Sequence, residues 1–262
     1  MEKSQLQSIL KTMEQVVKEA GADLMDRECS SHVHQKGFAD YVTEVDLLVQ
    51  QKIRSRLSEL YPSIQFMGEE QDNSQLDFQA PLWILDPVDG TCNLIRNMKM
   101  SVISLALADQ GDSAAGVIYQ PYTGELFSGA RGLGVFVNGM PIHVSQAKLL
   151  KDAVIGMGTS PYHSNLREGT MDAARKVFLR CMDLRRSGSA AMDLAYIAAG
   201  RLDGMFELIL QPWDVAAGKI LVEEAGGTMT TAEGKPIPLF CGSSILATNG
   251  AIHSQLQDAV KL

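Results

Sequence analysis

The sequence predicts an α/β protein, with an α+β N-terminal half over residues 1–148 and an α/β C-terminal half over residues 149–262. Three features lead to this prediction. Two stretches near the start place apolar residues at helical spacing. Short apolar runs separated by Gly, Asp and Pro then follow, as expected of strands. From about residue 150, strand-like and helix-like segments alternate, which is typical of α/β architecture.

Two helices are predicted first. The apolar stripe of the first helix contains Leu6, Ile9, Leu10, Met13, Val16, Val17 and Ala20. Gly21 is expected to end it. The second helix is predicted to begin after Thr43, which can form a capping box with Asp46. It should end before Tyr61-Pro62, because proline cannot continue a helix.

The strands of the first half are predicted at IQFMG, PLWILD, VISLALAD, AAGVIYQPY, GELFSGA and LGVFVNG, with a hairpin turn at Asn138-Gly139. The second half gives a strand at AVIGMG, a helix to about Cys181, a strand at MDLRRSG, a helix at SAAMDLAYIAAG, a strand at DGMFEL, a helix at WDVAAGKILVEEAGG, two more strands and a last helix. No flexible linker is visible, so we expect the halves to pack together with a site between them.

Composition and charge exclude several classes of protein. A formal net charge of −8 argues against nucleic acid as a partner. The four cysteines, Cys29, Cys92, Cys181 and Cys241, contain no CxxC pair, which favours reduced thiols over a disulfide framework or a zinc site. No run approaches the roughly 20 apolar residues of a membrane span. We therefore expect a cytoplasmic protein without a membrane partner.

The segment WILDPVDGTCNL is the most informative. A predicted strand leads to Asp86, and Asp89-Gly90-Thr91 leads into a predicted helix, so two carboxylates can converge beside free helix N–H groups suited to phosphate. The alternative is that Asp-Pro and Asp-Gly only make turns. On this segment alone, the two interpretations are about equally supported.

Two further acidic positions favour the functional interpretation. Glu69 follows a predicted strand and a glycine, and Asp214 stands at the start of a predicted helix. Taken alone, these are a common surface acid and a common helix cap. Together with Asp86 and Asp89 they form a set of hard oxygen ligands, which indicates Mg²⁺ or Mn²⁺ rather than Zn²⁺.

The segments KGFADYVTEVD, GEE, DPVDGTCN, RRSGSAAMDLAYIAAG and the Glu207 to Asp214 stretch resemble the motifs of the inositol monophosphatase family, in that family's order and over nearly the whole chain. The resemblance implies a layered α-β-α-β-α sandwich and Mg²⁺-dependent hydrolysis of a small phosphate monoester such as inositol monophosphate. It also implies two or three Mg²⁺ ions, with Mn²⁺ as a possible substitute, and a homodimer.

The same resemblance assigns roles to residues. The positions that match the family's metal ligands are Glu69, Asp86, the carbonyl of Val88, Asp89 and Asp214. Thr91, paired with Asp46, and Glu69 would orient a metal-activated water for in-line attack, with no phosphoenzyme. The positions that match the family's substrate-binding residues are the amides of Gly90 and Thr91, the turn of Gly188, Ser189 and Ala190, and the acids Glu207 and Asp214. Lys36 matches a lysine near the metals.

Several positions depart from the family pattern. Cys92 stands where threonine is more usual, Leu94 replaces a common phenylalanine, NMKMSV lacks the usual Pro and Phe, and Gln211-Pro212 precedes Trp213. The metal site therefore looks intact while the substrate rim differs. Fructose 1,6-bisphosphate, 3′-phosphoadenosine 5′-phosphate and histidinol phosphate remain alternative substrates, and a non-enzymatic regulatory protein on the same fold is a second alternative.

Other phosphate and metal motifs fail on spacing. A haloacid dehalogenase phosphatase needs DxDGT, but two residues separate Asp86 from Asp89. A cysteine phosphatase needs an arginine six residues after its nucleophile, whereas Arg96 follows Cys92 too closely. An EF-hand loop starting at Asp86 would need an acid at its twelfth position, which is Asn97.

Overall fold

The computed structural model describes residues 1–25, 33–37 and 40–261. The helices are α1 (Lys3–Gly21), α2 (Glu44–Leu60), α3 (Thr91–Ile95), α4 (Arg167–Phe178), α5 (Ala190–Ala198), α6 (Pro212–Glu224) and α7 (His253–Val260). The strands are β1 (Val33–Gly37), β2 (Asp40–Thr43), β3 (Gln65–Gly68), β4 (Leu82–Asp89), β5 (Val102–Asp109), β6 (Asp112–Gln120), β7 (Glu125–Ala130), β8 (Gly134–Val137), β9 (Met140–Pro141), β10 (Val154–Met157), β11 (Asp183–Arg185), β12 (Gly204–Leu210), β13 (Thr228–Thr230) and β14 (Ser243–Thr248).

These elements form five layers. A seven-stranded sheet has the order β3-β4-β5-β6-β7-β8-β9, and a five-stranded sheet has the order β11-β10-β12-β14-β13. Helices α1 and α2 cover the outer face of the first sheet, α5 and α6 lie between the sheets, and α4 and α7 cover the outer face of the second. The layered α-β-α-β-α sandwich implied by the resemblance is confirmed.

The local predictions for the first helices and the hairpin are confirmed. The whole predicted stripe of α1 is buried, and a capping box between Thr43 and Asp46 begins α2. Asn138 and Gly139 have φ of 50° and 79°, and Val137 pairs with Met140 across this two-residue turn. Positive φ at both positions is what a tight turn between twisted strands requires.

Strand β4 is longer than its sequence suggests, because it continues through Pro87 to Asp89. Asp86 pairs with Ser104 and Asp89 with Val102, so three steps along β4 match two steps along β5. Residues three apart in a regular strand face opposite sides of a sheet. The extra residue of this bulge instead turns Asp86 and Asp89 to the same face.

The core between the sheets draws on both predicted halves of the chain. Ile84 and Phe127 from the first sheet pack in one cluster with Leu194 and Leu221 from α5 and α6. The boundary near residue 148 stays a prediction. Among the helices of the described residues, none combines the length and apolar character needed to cross a membrane.

Candidate active site

The candidate site is a cavity of about 160 Å³ where strand ends of both sheets meet. Its lining includes residues at or just after the carboxyl ends of the parallel strands β3 and β4 in one sheet, and of β10, β11 and β12 in the other. In open α/β sheets, ligands bind outside the carboxyl ends of parallel strands. The two sheets here contribute such ends to one shared cavity.

Three aspartates converge in this cavity. Asp86, Asp89 and Asp214 each offer one carboxylate oxygen, and these atoms lie within 4.8 Å of one another. One oxygen of Asp86 accepts the N–H of Val88, and one oxygen of Asp214 accepts the N–H of Gln211. Within the described part of the chain, the second oxygen of Asp86 and of Asp214 has no hydrogen-bond donor.

The electrostatics of this cluster favour a bound cation. Burial raises the pKa of Asp86 and of Asp214 well above the usual range, and repulsion from neighbouring carboxylates adds to both shifts. Burial also raises the pKa of Asp89 to about 6. Carboxylates that lie close together and still have free oxygens are the donor set that hard divalent cations prefer, so the residues present fit Mg²⁺.

Glu69, Val88, Thr91 and Asp46 surround this cluster. Glu69 follows β3 and lines the cavity outside the set of three aspartates, and Val88 lines it as well. The hydroxyl of Thr91 lies 3.1 Å from the carbonyl oxygen of Val88 and 3.3 Å from Oδ1 of Asp46. Burial raises the pKa of Asp46 to about 6, although two donors from Thr43 oppose the shift.

Asp89 links the two sequence halves at the site. Its Oδ2 accepts the hydroxyl of Ser189 at 2.7 Å and the N–H of Ala191 at 2.6 Å, at the start of α5. Gly188 and Ala190, beside Ser189, also line the cavity. Gly90 has φ of 91°, and a Cβ there would lie 3.2 Å from the carbonyl oxygen of Gly188, so a larger residue would press the two halves apart.

Glu207 lies in the same cavity and is 7% exposed. Its Oε1 accepts both the N–H of Ser160 at 3.0 Å and the hydroxyl of Ser160 at 2.8 Å. Burial raises the pKa of Glu207 to about 7 against these donors. Its carboxylate lies against Gly158, where any Cβ would overlap with it. The predicted substrate acid is therefore held in one orientation.

Sequence reasoning missed one wall of the cavity. This wall contains Gly158, Thr159, Ser160, Pro161 and Tyr162, all directly after β10. The signal was available, because AVIGMG was predicted to be a strand and functional loops follow the carboxyl ends of parallel strands. Three more residues that line the cavity, Tyr41, Arg186 and Asp193, were also missed.

Some sequence predictions fall outside the described residues or at the cavity rim. The side chain of Lys36, and Cys29, Phe38 and Ala39, lie outside the described residues. Cys92 is exposed and lines the cavity. Cys92, Cys181 and Cys241 are free thiols, as predicted for them.

Comparisons with known proteins show which family this chain resembles. The family model described as the inositol monophosphatase family matches residues 5–261. The chain is 38% identical over 257 residues to the inositol-1-monophosphatase of Rhizobium meliloti (strain 1021), covering 97% of this chain and 96% of that protein. It is 36% identical over 236 residues to the Nus factor SuhB of Escherichia coli (strain K12), covering 87% and 88%.

Solved structures of similar proteins have the same fold. The extragenic suppressor protein suhB from Bartonella henselae matches with a TM-score of 0.89 at 36% identity, over 97% of this chain and 98% of that one. The IMPase from Thermotoga maritima matches with a TM-score of 0.87 at 32% identity, over 97% and 96%. The family resemblance predicted from the motifs is confirmed.

Proposed function

Because the chain belongs to the inositol monophosphatase family and is therefore a phosphoric monoester hydrolase, we propose that it hydrolyses myo-inositol monophosphate to inositol and phosphate. The observation that carries the proposal is the cluster of Asp86, Asp89 and Asp214 in one cavity with Glu207. The cluster suits a metal and a phosphate. Glu207 suits the hydroxyl groups of a polyol.

Metal dependence is the first part of this proposal. Two or three Mg²⁺ ions would be held by Glu69, Asp86, the carbonyl of Val88, Asp89 and Asp214, and Mn²⁺ would be a possible substitute. When bound, Mg²⁺ supplies positive charge that neutralises the phosphate and makes water a stronger nucleophile. No side chain of the protein needs to attack phosphorus, so no phosphoenzyme should accumulate.

Thr91 and Glu69 would orient the attacking water. Asp46 can accept the hydrogen bond of the Thr91 hydroxyl, which lies 3.3 Å from its Oδ1. The Thr91 oxygen would then accept one hydrogen bond from the water, and the carboxylate of Glu69 would accept the other. Two acceptors fix both protons of the water and aim its lone pair at phosphorus.

The remaining groups would hold the two parts of the ester. The N–H groups of Gly90 and Thr91 stand at the beginning of α3, where the first helical amides have no intrahelical acceptor, and would bind phosphate oxygens. Glu207 and the turn of Gly188, Ser189 and Ala190 would bind the alcohol. A leaving alkoxide would gain a proton from solvent at the open side of the cavity.

The closest competing proposals keep the metal site and change the rest. Fructose 1,6-bisphosphate, 3′-phosphoadenosine 5′-phosphate and histidinol phosphate are alternative esters for the same chemistry. A regulatory role without turnover is a different class, supported by the name Nus factor carried by the Escherichia coli relative. A homodimer and a cytoplasmic location are further proposals, which light scattering and fractionation would test.

The deciding experiment is phosphate release by the purified, metal-stripped protein, with and without Mg²⁺, on inositol 1-phosphate and the three alternative esters. We expect Mg²⁺-dependent release with inositol 1-phosphate preferred. Preference for another ester would replace the substrate and keep the mechanism. Failure to release phosphate from all four with Mg²⁺ or Mn²⁺ would overturn the proposal in favour of regulation.

A further inference from the structure

The segment Gly158–His163 forms a constrained turn on the cavity wall. The N–H of His163 donates to the carbonyl oxygen of Ser160 at 2.9 Å, so Pro161 and Tyr162 occupy the two middle positions of a four-residue turn. Proline in the first middle position fixes φ before folding. Tyr162 is therefore held in place by the backbone rather than carried on a loose loop.

The turn is anchored on the acid that is proposed to bind the alcohol. Ser160 donates its N–H and its hydroxyl to Glu207, and has φ of 38°, a conformation uncommon outside glycine. Arg167 donates to the carbonyl oxygen of Pro161 at 3.0 Å. The ring of Tyr162 contacts the ring of His163, with centroids 5.1 Å apart. The turn therefore holds Tyr162 in a fixed position relative to Glu207.

Tyr162 presents both an apolar ring and a donor to the cavity. It lines the cavity and is 45% exposed, so part of its side chain is open to a ligand. Burial and the negative charge of Asp214 and Glu207 raise the pKa of its hydroxyl. The phenol thus stays protonated at neutral pH and can donate a hydrogen bond.

We propose that Tyr162 is a specificity-determining residue that contacts the alcohol part of the substrate and selects cyclic polyol phosphates. A polyol hydroxyl both donates and accepts, so one or two neighbouring hydroxyls can donate to Glu207 and accept from Tyr162. The tyrosine ring would pack against the C–H face of the polyol ring. This inference rests on the proposed function and names the group that recognises its substrate class.

Two variants separate the contribution of the Tyr162 hydroxyl from that of its ring. Two esters separate the contacts that these groups would make with the substrate. Tyr162→Phe removes the hydroxyl, and Tyr162→Ala also removes the ring. Inositol 1-phosphate offers hydroxyls and a ring face, whereas cyclohexyl phosphate offers only the ring face. Met171→Ala is the control, because Met171 is comparably exposed, at 54%, on α4 and outside the cavity lining.

We expect Tyr162→Phe to lower kcat/KM for inositol 1-phosphate about 2- to 12-fold, as for one lost hydrogen bond, without affecting cyclohexyl phosphate. Tyr162→Ala should lower kcat/KM for both esters, by about 10-fold or more for inositol 1-phosphate. The inhibition constant of inorganic phosphate should stay within about twofold in every variant, because phosphate alone does not reach the alcohol contacts.

Three results would overturn the inference. Tyr162→Ala with wild-type kinetics would mean that the ring contacts no substrate. A matching loss of inorganic phosphate inhibition in Tyr162→Ala would mean that the residue only supports the fold of the site. Equal losses for Tyr162→Phe on both esters would remove the hydroxyl contact. Inactivity of the wild-type protein on every ester would instead overturn the proposed function, and this inference with it.

Discussion

Replacing Asp89 with asparagine should separate two effects of the acidic cluster, which are the destabilisation of the metal-free protein and the binding of the metal. Oδ2 of Asp89 accepts hydrogen bonds from Ser189 and Ala191, and the carbonyl oxygen of an asparagine can accept the same two. The amide nitrogen would then face the position offered to the metal. Asp89→Asn should therefore preserve the link to α5 while removing one negative charge and one metal ligand.

The stability effect follows from the raised pKa. Asp89 titrates at about 6 in the folded protein, against a usual value of 3.8. A carboxyl group whose folded pKa is higher than its unfolded pKa costs no stability below the unfolded value, and its cost grows until the pH passes the folded value. The difference between these two pKa values corresponds to about 3 kcal/mol at pH 8.

Asparagine should recover most of this cost in the metal-free protein. Its neutral hydrogen bonds are weaker than those of a carboxylate by about 1 kcal/mol, which leaves a net gain of about 2 kcal/mol. For a chain of this size, that gain raises the Tm by about 4–8 °C. The difference between variant and wild type should shrink as the pH falls from 8 towards 4.

Mg²⁺ should make the wild-type protein more stable than Asp89→Asn. At a concentration 100 times its Kd, a ligand stabilises the folded state by about 2.7 kcal/mol, so Mg²⁺ should raise the wild-type Tm by roughly 5–10 °C. Asp89→Asn should lose most of that rise and release no phosphate. The assay is differential scanning fluorimetry of metal-stripped protein, with and without Mg²⁺, at pH 8, 6 and 4.

Asp72→Asn is the matched control. Asp72 also accepts one backbone N–H and one serine hydroxyl, both from Ser74, but it is fully exposed and outside the cavity. It should change neither the Mg²⁺ response nor turnover. The reasoning fails if Asp89→Asn lowers the Tm of the metal-free protein at pH 8, or if it keeps the wild-type rise with Mg²⁺.

Three further variants test other parts of the site. Glu207→Gln should lower kcat/KM on inositol 1-phosphate at least about 10-fold more than on 4-nitrophenyl phosphate, and equal losses would remove its role in binding the alcohol. Thr91→Ser should keep turnover while Thr91→Val loses about 100-fold or more, since only the hydroxyl orients water; similar rates would exclude that role. Asn93→Ala should lower the free energy of unfolding in urea by about 2–3 kcal/mol, because the side-chain amide of Asn93 donates to the carbonyls of Met100 and Ser187. An unchanged unfolding midpoint would contradict this.

Much of the fold could be predicted because local signals agree with the final packing. The stripe of α1, the capping box before α2 and the Asn138-Gly139 turn each depend on neighbours within a few residues, and the structure has all three. The bulge in β4 depends on pairing with β5, which lies more than ten residues away. Sequence spacing could therefore place Asp86 and Asp89 near a strand end without showing how both come to face one side.

The residues of the candidate site also fall into those that the sequence could predict and those that it could not. Its acidic residues were found because carboxylates beside glycine and strand ends carry a chemical signal. The wall at Ser160 and Tyr162 was missed because serine and tyrosine after a strand are common everywhere, and only the fold brings them to Glu207. Their anchoring depends on a hydrogen bond across 47 residues of sequence.

The seven-stranded sheet and the five-stranded sheet each contain a β-bulge at the site. In β12, Glu207 pairs with Ile245 and Leu210 with Ser243, again three steps against two, and both Glu207 and Leu210 line the cavity. A regular strand would turn one of each pair away from the site. The bulge in β4 brings together two groups suited to a metal, and the bulge in β12 brings an acid and an apolar side chain to the part proposed for the alcohol. Removing the extra residue from β12 should therefore reduce the selectivity for the alcohol part of the substrate. The rise of Tm with Mg²⁺, which depends on the ligands of the first sheet, should remain. Loss of both the selectivity and the Tm rise would show that the two sheets do not divide the site in this way.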